Sequence, residues 1–140
     1  LGIADLAARD AMTLSTGQAR RALIARALVH DPEALVFDEP CTGLDPEGMF
    51  YVRRSMRALA QAGKSIVLVT HYPEDVIPEI ARLVLVKDGA VFADGPKERL
   101  LSDDTMSALF DVPLRVKRTA VPAVAKNAEE DAYFSLVSAY

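Results

Sequence analysis

The sequence predicts an α/β protein: a mostly parallel sheet with an antiparallel edge hairpin and flanking helices. Three observations predict it. Two apolar runs rich in β-formers, Leu35-Val36-Phe37 and Ile66-Val67-Leu68-Val69, are separated by a single stretch of helical periodicity. That spacing suits parallel strands joined by a crossover helix. Further on, Asp88-Gly89 divides two β-prone runs, which is a hairpin signal.

Taken in order, residues 3–10 suggest a short helix with Ile3, Leu6 and Ala7 on one side. Ser15 or Thr16 is placed to cap a second helix over about 17–30, whose wetter side carries Arg20, Arg21 and Arg26. Asp31-Pro32 ends it, because proline disfavours helical geometry in the residue before it. The first strand then runs to Asp38 and breaks at Pro40. Pro46 suits the first turn of a helix over 46–61, supported by Met49, Val52, Met56 and Leu59 and stopped by Gly63. Ser65 to Thr70 reads as a strand buried on both faces. Pro73-Glu74-Asp75 looks like a helix start that Pro78 keeps short. Arg82–Lys87 and Ala90–Ala93 form the hairpin, and helices follow at about 96–101 and 103–110. From about Thr119, small residues, Pro122 and the acidic Glu129-Glu130-Asp131 suggest a weakly ordered extension, with a helix near 128–138. The expected division is therefore a domain at 1–116 and an extension at 117–140.

At 140 residues, with 51% apolar residues, the chain can bury one modest core. A net charge of −4 argues against a broad basic surface for nucleic acid. The single cysteine, Cys41, excludes an internal disulfide and fits a reducing compartment. No apolar run approaches the ~18 residues of a membrane span. Charged residues interrupt the start, so no signal peptide is read there. The first residue is Leu1 rather than Met, which suggests a piece of something longer.

The candidate chemistry centres on Asp38-Glu39. In α/β sheets, ligands bind at the carboxyl ends of strands. Adjacent strand residues point to opposite faces, so the two carboxylates take different roles. One could hold Mg²⁺, which often binds through one carboxylate plus phosphates, while the other orients a water. His71 closes the next strand and could face the same ligand, or serve as a structural hydrogen-bonding residue. Leu14-Ser15-Thr16-Gly17-Gln18 opens a helix, where backbone N–H groups can receive a phosphate or simply be capped. Asp45 is, in part, an N-cap for the helix after it. His30 reads as a helix-end residue and Cys41 as a small filler.

The succession carries more than any one motif. Leu-Ser-Thr-Gly-Gln, an apolar strand ending Asp-Glu-Pro, Gly-Leu-Asp-Pro, and a strand ending Thr-His closely resemble the C-terminal half of an ATP-binding cassette (ABC) transporter ATPase. The resemblance covers about residues 1–115. It implies a partial P-loop NTPase-like fold, with Leu14–Gln18 as the signature motif and Leu35–Asp38 as the Walker B strand. It implies that Asp38 holds Mg²⁺ through its water shell, Glu39 polarises the attacking water and His71 contacts the γ-phosphate of ATP. Ser15, Thr16, Gly17 and Gln18 then meet the nucleotide bound mainly by the opposite cassette, and Asp45 couples the two cassettes. Two residues depart from the common pattern: Thr16 stands where glycine is usual, and Cys41 where threonine or serine is usual.

The Walker A loop, Gly-x-x-x-x-Gly-Lys-Ser/Thr, is not among these residues. The expectation is therefore a fragment or truncated product whose parent is an ATPase, and which alone turns ATP over negligibly. Implied partners are a second cassette, transmembrane permease subunits and, for an importer, a substrate-binding protein. No nucleic acid is expected. The implied location is cytoplasmic, peripheral on the inner face of the plasma membrane. Thr42-Gly43 stands where translation cassettes typically carry Asn-His, and the uninterrupted Asp-Glu-Pro is unlike chromosome and repair cassettes, so the transporter leads; a soluble cassette of translation or DNA repair and a truncated inactive interaction module are the alternatives. Leu109–Val116 is similar to the tail of importers for iron chelates, haem or cobalamin. His71–Asp75 with Ile77–Ile80 is similar to molybdate-type cassettes.

Overall fold

The computed structural model describes residues 4–120 and 132–138. The described chain divides into two compact units, Leu1–His71 and Tyr72–Tyr140.

In the first unit the expected helix at 3–10 is replaced by single 3₁₀ turns at Ala4–Leu6 and Ala11–Thr13. Helix α1 covers Thr16–Ala27. Ser15 caps it: its hydroxyl accepts from Gln18 N–H at 3.2 Å, while the Gln18 side chain accepts from Ser15 N–H at 3.0 Å. This reciprocal box satisfies two otherwise orphaned donors. The helix stops at Ala27, short of Asp31-Pro32: Val29 N–H donates to Arg26 C=O at 3.3 Å and Asp31 N–H to Leu28 C=O at 3.0 Å, tighter turns that end at Asp31 with φ 46°.

Strand β1 (Ala34–Asp38) and strand β2 (Ser65–Val69) pair in parallel, Asp38 opposite Val69. Helix α2 (Pro46–Gln61) connects them, with Pro46 at its first position and Asp45 as its cap. Val52 and Met56 on its inner face are fully buried. Leu35 and Phe37 are buried on one face of β1, while Val36 is 70% and Val67 51% exposed on the other. The strands are thus covered on one side in this chain, where full burial was expected: an apolar run records that a face can be buried, not that a neighbour is present.

In the second unit one 3₁₀ turn at Pro73–Asp75 stands where a short helix was expected. Strands β3 (Arg82–Lys87) and β4 (Ala90–Pro96) form the hairpin around Asp88-Gly89, with a bulge between Leu85 and Val86. Helices α3 (Lys97–Leu100) and α4 (Asp103–Phe110) come next. Strand β5 (Leu114–Ala120) then pairs antiparallel with β6 (Ala132–Ser138). The helix expected near 128–138 is therefore a strand over 132–138, and residues 128–131 lie outside the described residues. Its sequence alternates, placing Phe134 and Leu136 against Leu101, Met106 and Val116. Lys97 is buried beside Phe134, its ammonium 6.0 Å from the ring and donating to Pro78 C=O at 2.7 Å.

The α/β class stands, with one correction to its layout. Among the described residues there are three two-stranded sheets, of which only β1–β2 is parallel, and the hairpin forms its own sheet rather than an edge of a larger one.

Candidate functional site

The parallel register of β1 and β2 brings their carboxyl ends side by side. The first residue beyond β1 is Glu39, whose N–H donates to Val69 C=O at 2.9 Å. Two residues beyond β2 lies His71. Its Nδ1 is 2.6 Å from Glu39 Oε1, a direct contact where the sequence suggests only that the two could face one ligand. The second carboxylate oxygen, Oε2, accepts the Thr42 hydroxyl at 2.7 Å. These two hydrogen bonds, His71 first and Thr42 second, hold the Glu39 carboxyl below its ordinary pKa. Both side chains of the Glu39–His71 pair are partly open to solvent.

Glu39 has a left-handed backbone, φ 46°. The other non-glycine residues described with positive φ, Asp31, Asp88 and Asp111, are aspartates, which tolerate it. A glutamate there costs on the order of 1–3 kcal/mol, and such strain tends to gather at functional positions. Here the left-handed residue turns the chain straight from β1 into the Pro40–Gly43 turn, and it places the Thr42 hydroxyl against the Glu39 carboxylate. Thr42 was not among the residues read from the sequence. Its signal is the hydroxyl three residues after the glutamate, visible only once Glu39 is known to turn.

Asp38 points elsewhere. It borders a largely apolar cavity of about 160 Å³ with Leu35, Phe37, Pro40 and Arg20. Among the described residues no three His, Cys, Asp or Glu side chains gather as a metal cage. A lone exposed carboxylate still fits Mg²⁺, which takes most of its ligands from phosphates and water.

The remaining predicted residues form a second place. Ser15, Thr16, Gly17, Gln18 and Asp45 line a cavity of about 350 Å³ with Gly43 and Tyr51. It lies between the N-termini of α1 and α2, which present backbone N–H groups and positive dipole ends. The two termini can approach because they meet through glycines: a Cβ on Gly17 would stand 3.4 Å from Gly48 Cα. Asp45 Oδ1 accepts from Gly48 N–H at 2.7 Å, so its N-cap role is observed directly. The Arg21 guanidinium lies 4.6 Å over the Tyr51 ring at the same cavity. The predicted residues therefore fall into two groups, joined by the turn from Glu39 through Thr42 to Asp45.

One triplet, Gly63-Lys64-Ser65, ends as a phosphate-binding loop would. Ala58 stands where that loop needs its first glycine, the triplet comes after a helix rather than before one, and Lys64 pairs with Asp31 at 2.5 Å. It is a helix stop.

The family model described as ABC transporter matches residues 1–42. An uncharacterized ABC transporter ATP-binding protein of Bacillus subtilis, YlmA, is 42% identical over 122 residues, covering 83% of this chain and 45% of that protein. A phosphate import ATP-binding protein, PstB 2, of Natronomonas pharaonis is 37% identical over 103 residues, covering 74% and 36%. The Nod factor export ATP-binding protein I of Paraburkholderia xenovorans is 33% identical over 118 residues, covering 81% and 39%. Among solved structures, an inward-facing ABC transporter assigned to the metal-chelate type superposes with TM-score 0.81 at 26% identity, covering 99% of this chain and 53% of that one. A dimeric ATP-binding cassette in a post-hydrolysis state with ADP and Pi superposes with TM-score 0.52 at 32% identity, covering 59% and 36%. The chain thus spans less than half the length of these curated relatives.

Proposed function

We propose a function from family membership: this chain is part of the ATP-binding cassette of an ABC transporter, and it supplies the water-activating half of an ATPase site. Residues 1–116 would be the cassette portion and 117–140 its extension. The observation that carries the reading is the Glu39–His71 pair at the carboxyl ends of two parallel strands. Separation of that pair from the Ser15–Gln18 cavity supports it too. Such an arrangement suits a dimer in which each cassette offers its carboxylate to one nucleotide and its helix N-termini to the other.

The residues suggest a specific chemistry. Glu39 orients a water for in-line attack on the γ-phosphorus of ATP. The new bond joins the water oxygen to phosphorus, and the bond from phosphorus to the β–γ bridging oxygen breaks. That bond's electron pair leaves with ADP, and a water proton passes to Glu39. An ionised Glu39 can only accept, so His71 Nδ1 carries the hydrogen in their contact. A hydrogen bond from Nε2 to a γ-phosphate oxygen then requires the doubly protonated ring. Asp38 would hold Mg²⁺, which when bound neutralises charge on the β- and γ-phosphates. Ser15, Gly17 and neighbouring backbone N–H groups would meet the γ-phosphate bound by a second cassette, with Thr16 narrowing the approach. Asp45 would carry the coupling between cassettes.

Permease subunits in the plasma membrane are the proposed partners, with the cassette on the cytoplasmic face. Among the described residues no helix is long and apolar enough to cross a membrane. We favour import of a metal-chelate-type substrate together with a substrate-binding protein. Its support is the likeness extending over 99% of the chain, against 59% for the dimeric cassette. The export proteins among the relatives make efflux the competing direction. Membrane vesicles of defined orientation, carrying the complete transporter, should take up a ferric chelate when ATP is on the cytoplasmic side. Outward movement under the same conditions would reverse the direction and leave the ATPase reading standing.

A further inference from the structure

We propose that Thr42 is a positioning residue for Glu39, fixing the plane of its carboxylate for water activation; this rests on the reading of Glu39 given above. Three observations combine. The Thr42 hydroxyl donates to Oε2 at 2.7 Å while His71 Nδ1 meets Oε1 at 2.6 Å. Each carboxylate oxygen therefore has its own anchor. A carboxyl group's terminal torsion is broad, so one anchor alone leaves it free to swing about that contact. Two anchors on different oxygens hold the plane, and about two of the roughly four acceptor positions stay open for a water.

The second observation is how the hydroxyl arrives there. Thr42 N–H donates to Glu39 C=O at 3.3 Å, closing a turn that the left-handed Glu39 begins. Backbone and side chain thus tie the same two residues. The third is the place of Thr42 along the chain. Gly43, Leu44 and Asp45, directly after it, line the cavity at the helix N-termini. Thr42 is therefore the last residue before that cavity and the first to touch the carboxylate. That places Thr42 in the turn between the two groups of residues, with its hydroxyl on the Glu39 side.

Placement errors near 1 Å can cost about 10²-fold in rate. In the complete ATP-binding subunit, Thr42→Val keeps the shape and loses the donor. We expect its kcat to fall about 10- to 100-fold with the KM for ATP changed less than about twofold, whereas Thr42→Ser, which keeps the hydroxyl, recovers most of the rate. Thr42 is exposed, so thermal melting of Thr42→Val should match the parent, which separates positioning from loss of fold. An unchanged kcat in Thr42→Val, a rise in KM instead of a fall in kcat, or Thr42→Ser as slow as Thr42→Val would each overturn the proposal. Glu39→Gln measured alongside tells the two ideas apart. If Glu39→Gln is inactive and Thr42→Val is fully active, only the Thr42 role fails. If Glu39→Gln turns ATP over normally, the reading of Glu39 fails first.

Discussion

Replacing Asp45 by alanine removes the cap of the longest helix described. Its Oδ1 accepts the Gly48 N–H at 2.7 Å in a half-buried setting. Losing an N-cap aspartate costs about 1 kcal/mol, and losing its charge at the positive helix end adds about 0.3–1 kcal/mol. The sum is about 1.5 kcal/mol. With a urea slope near 2 kcal/mol/M, the unfolding midpoint should drop by roughly 0.7 M. Asp45→Asn keeps an acceptor oxygen and should lose only the charge contribution, or roughly 0.15–0.5 M. The assay is urea unfolding of the three proteins monitored by circular dichroism at 222 nm. Equal midpoints for Asp45→Ala and the parent would refute the cap as a stabilising contact. Equal losses for both variants would show that charge, not the hydrogen bond, is what α2 needs.

Two more outcomes concern the second unit. Phe134 is 6% exposed and packs on Leu101 and Met106, so Phe134→Ala should cost about 3–5 kcal/mol in unfolding by denaturant; a loss below about 1 kcal/mol would mean that β6 does not dock as described. The Arg82 guanidinium binds both Asp94 oxygens, at 2.8 and 2.6 Å, and the hydrogen bond to Arg82 holds the Asp94 carboxyl below its ordinary pKa. A depressed carboxyl stabilises the fold above its unfolded pKa, near 4, and loses that contribution as pH falls through the folded value. Titration of the Asp94 side-chain carbon by NMR should therefore show a midpoint below about 4 that rises in Arg82→Ala, and an unmoved midpoint would contradict the pairing.

What could be read from the sequence was what local chemistry decides. Asp45-Pro46 and Gly63 bracket α2 because a cap, a fixed φ and a left-handed stop each act within a few residues. Glu39 and His71 could be assigned to one sheet edge because parallel strands converge at their carboxyl ends, but their direct contact could not. The errors lie where neighbours decide. Ala132–Ser138 comes after an acidic run and was expected to be helical, yet its alternation of Phe134 and Leu136 with polar or exposed positions is a strand pattern that needs β5 as partner. Leu28 and Val29 extended the apolar pattern of α1, but Val29 is 72% exposed because the helix has already ended. Val36 and Val67 carry the residues of a doubly covered sheet, while cover depends on which other elements are present. Thr42 went unseen because its contact depends on the backbone of Glu39, a glutamate in a conformation its residue type disfavours.

The central claim is that Glu39 activates water for an ATPase, and Glu39→Gln in the complete subunit tests it most directly. Glutamine keeps the shape and can still bond Thr42 and His71, so the fold and ATP binding should be retained. Removing a general base costs about 10²- to 10⁴-fold, which is the loss expected in single-turnover hydrolysis at saturating ATP and Mg²⁺. Hydrolysis within a few-fold of the parent, with ATP bound equally well, would contradict it.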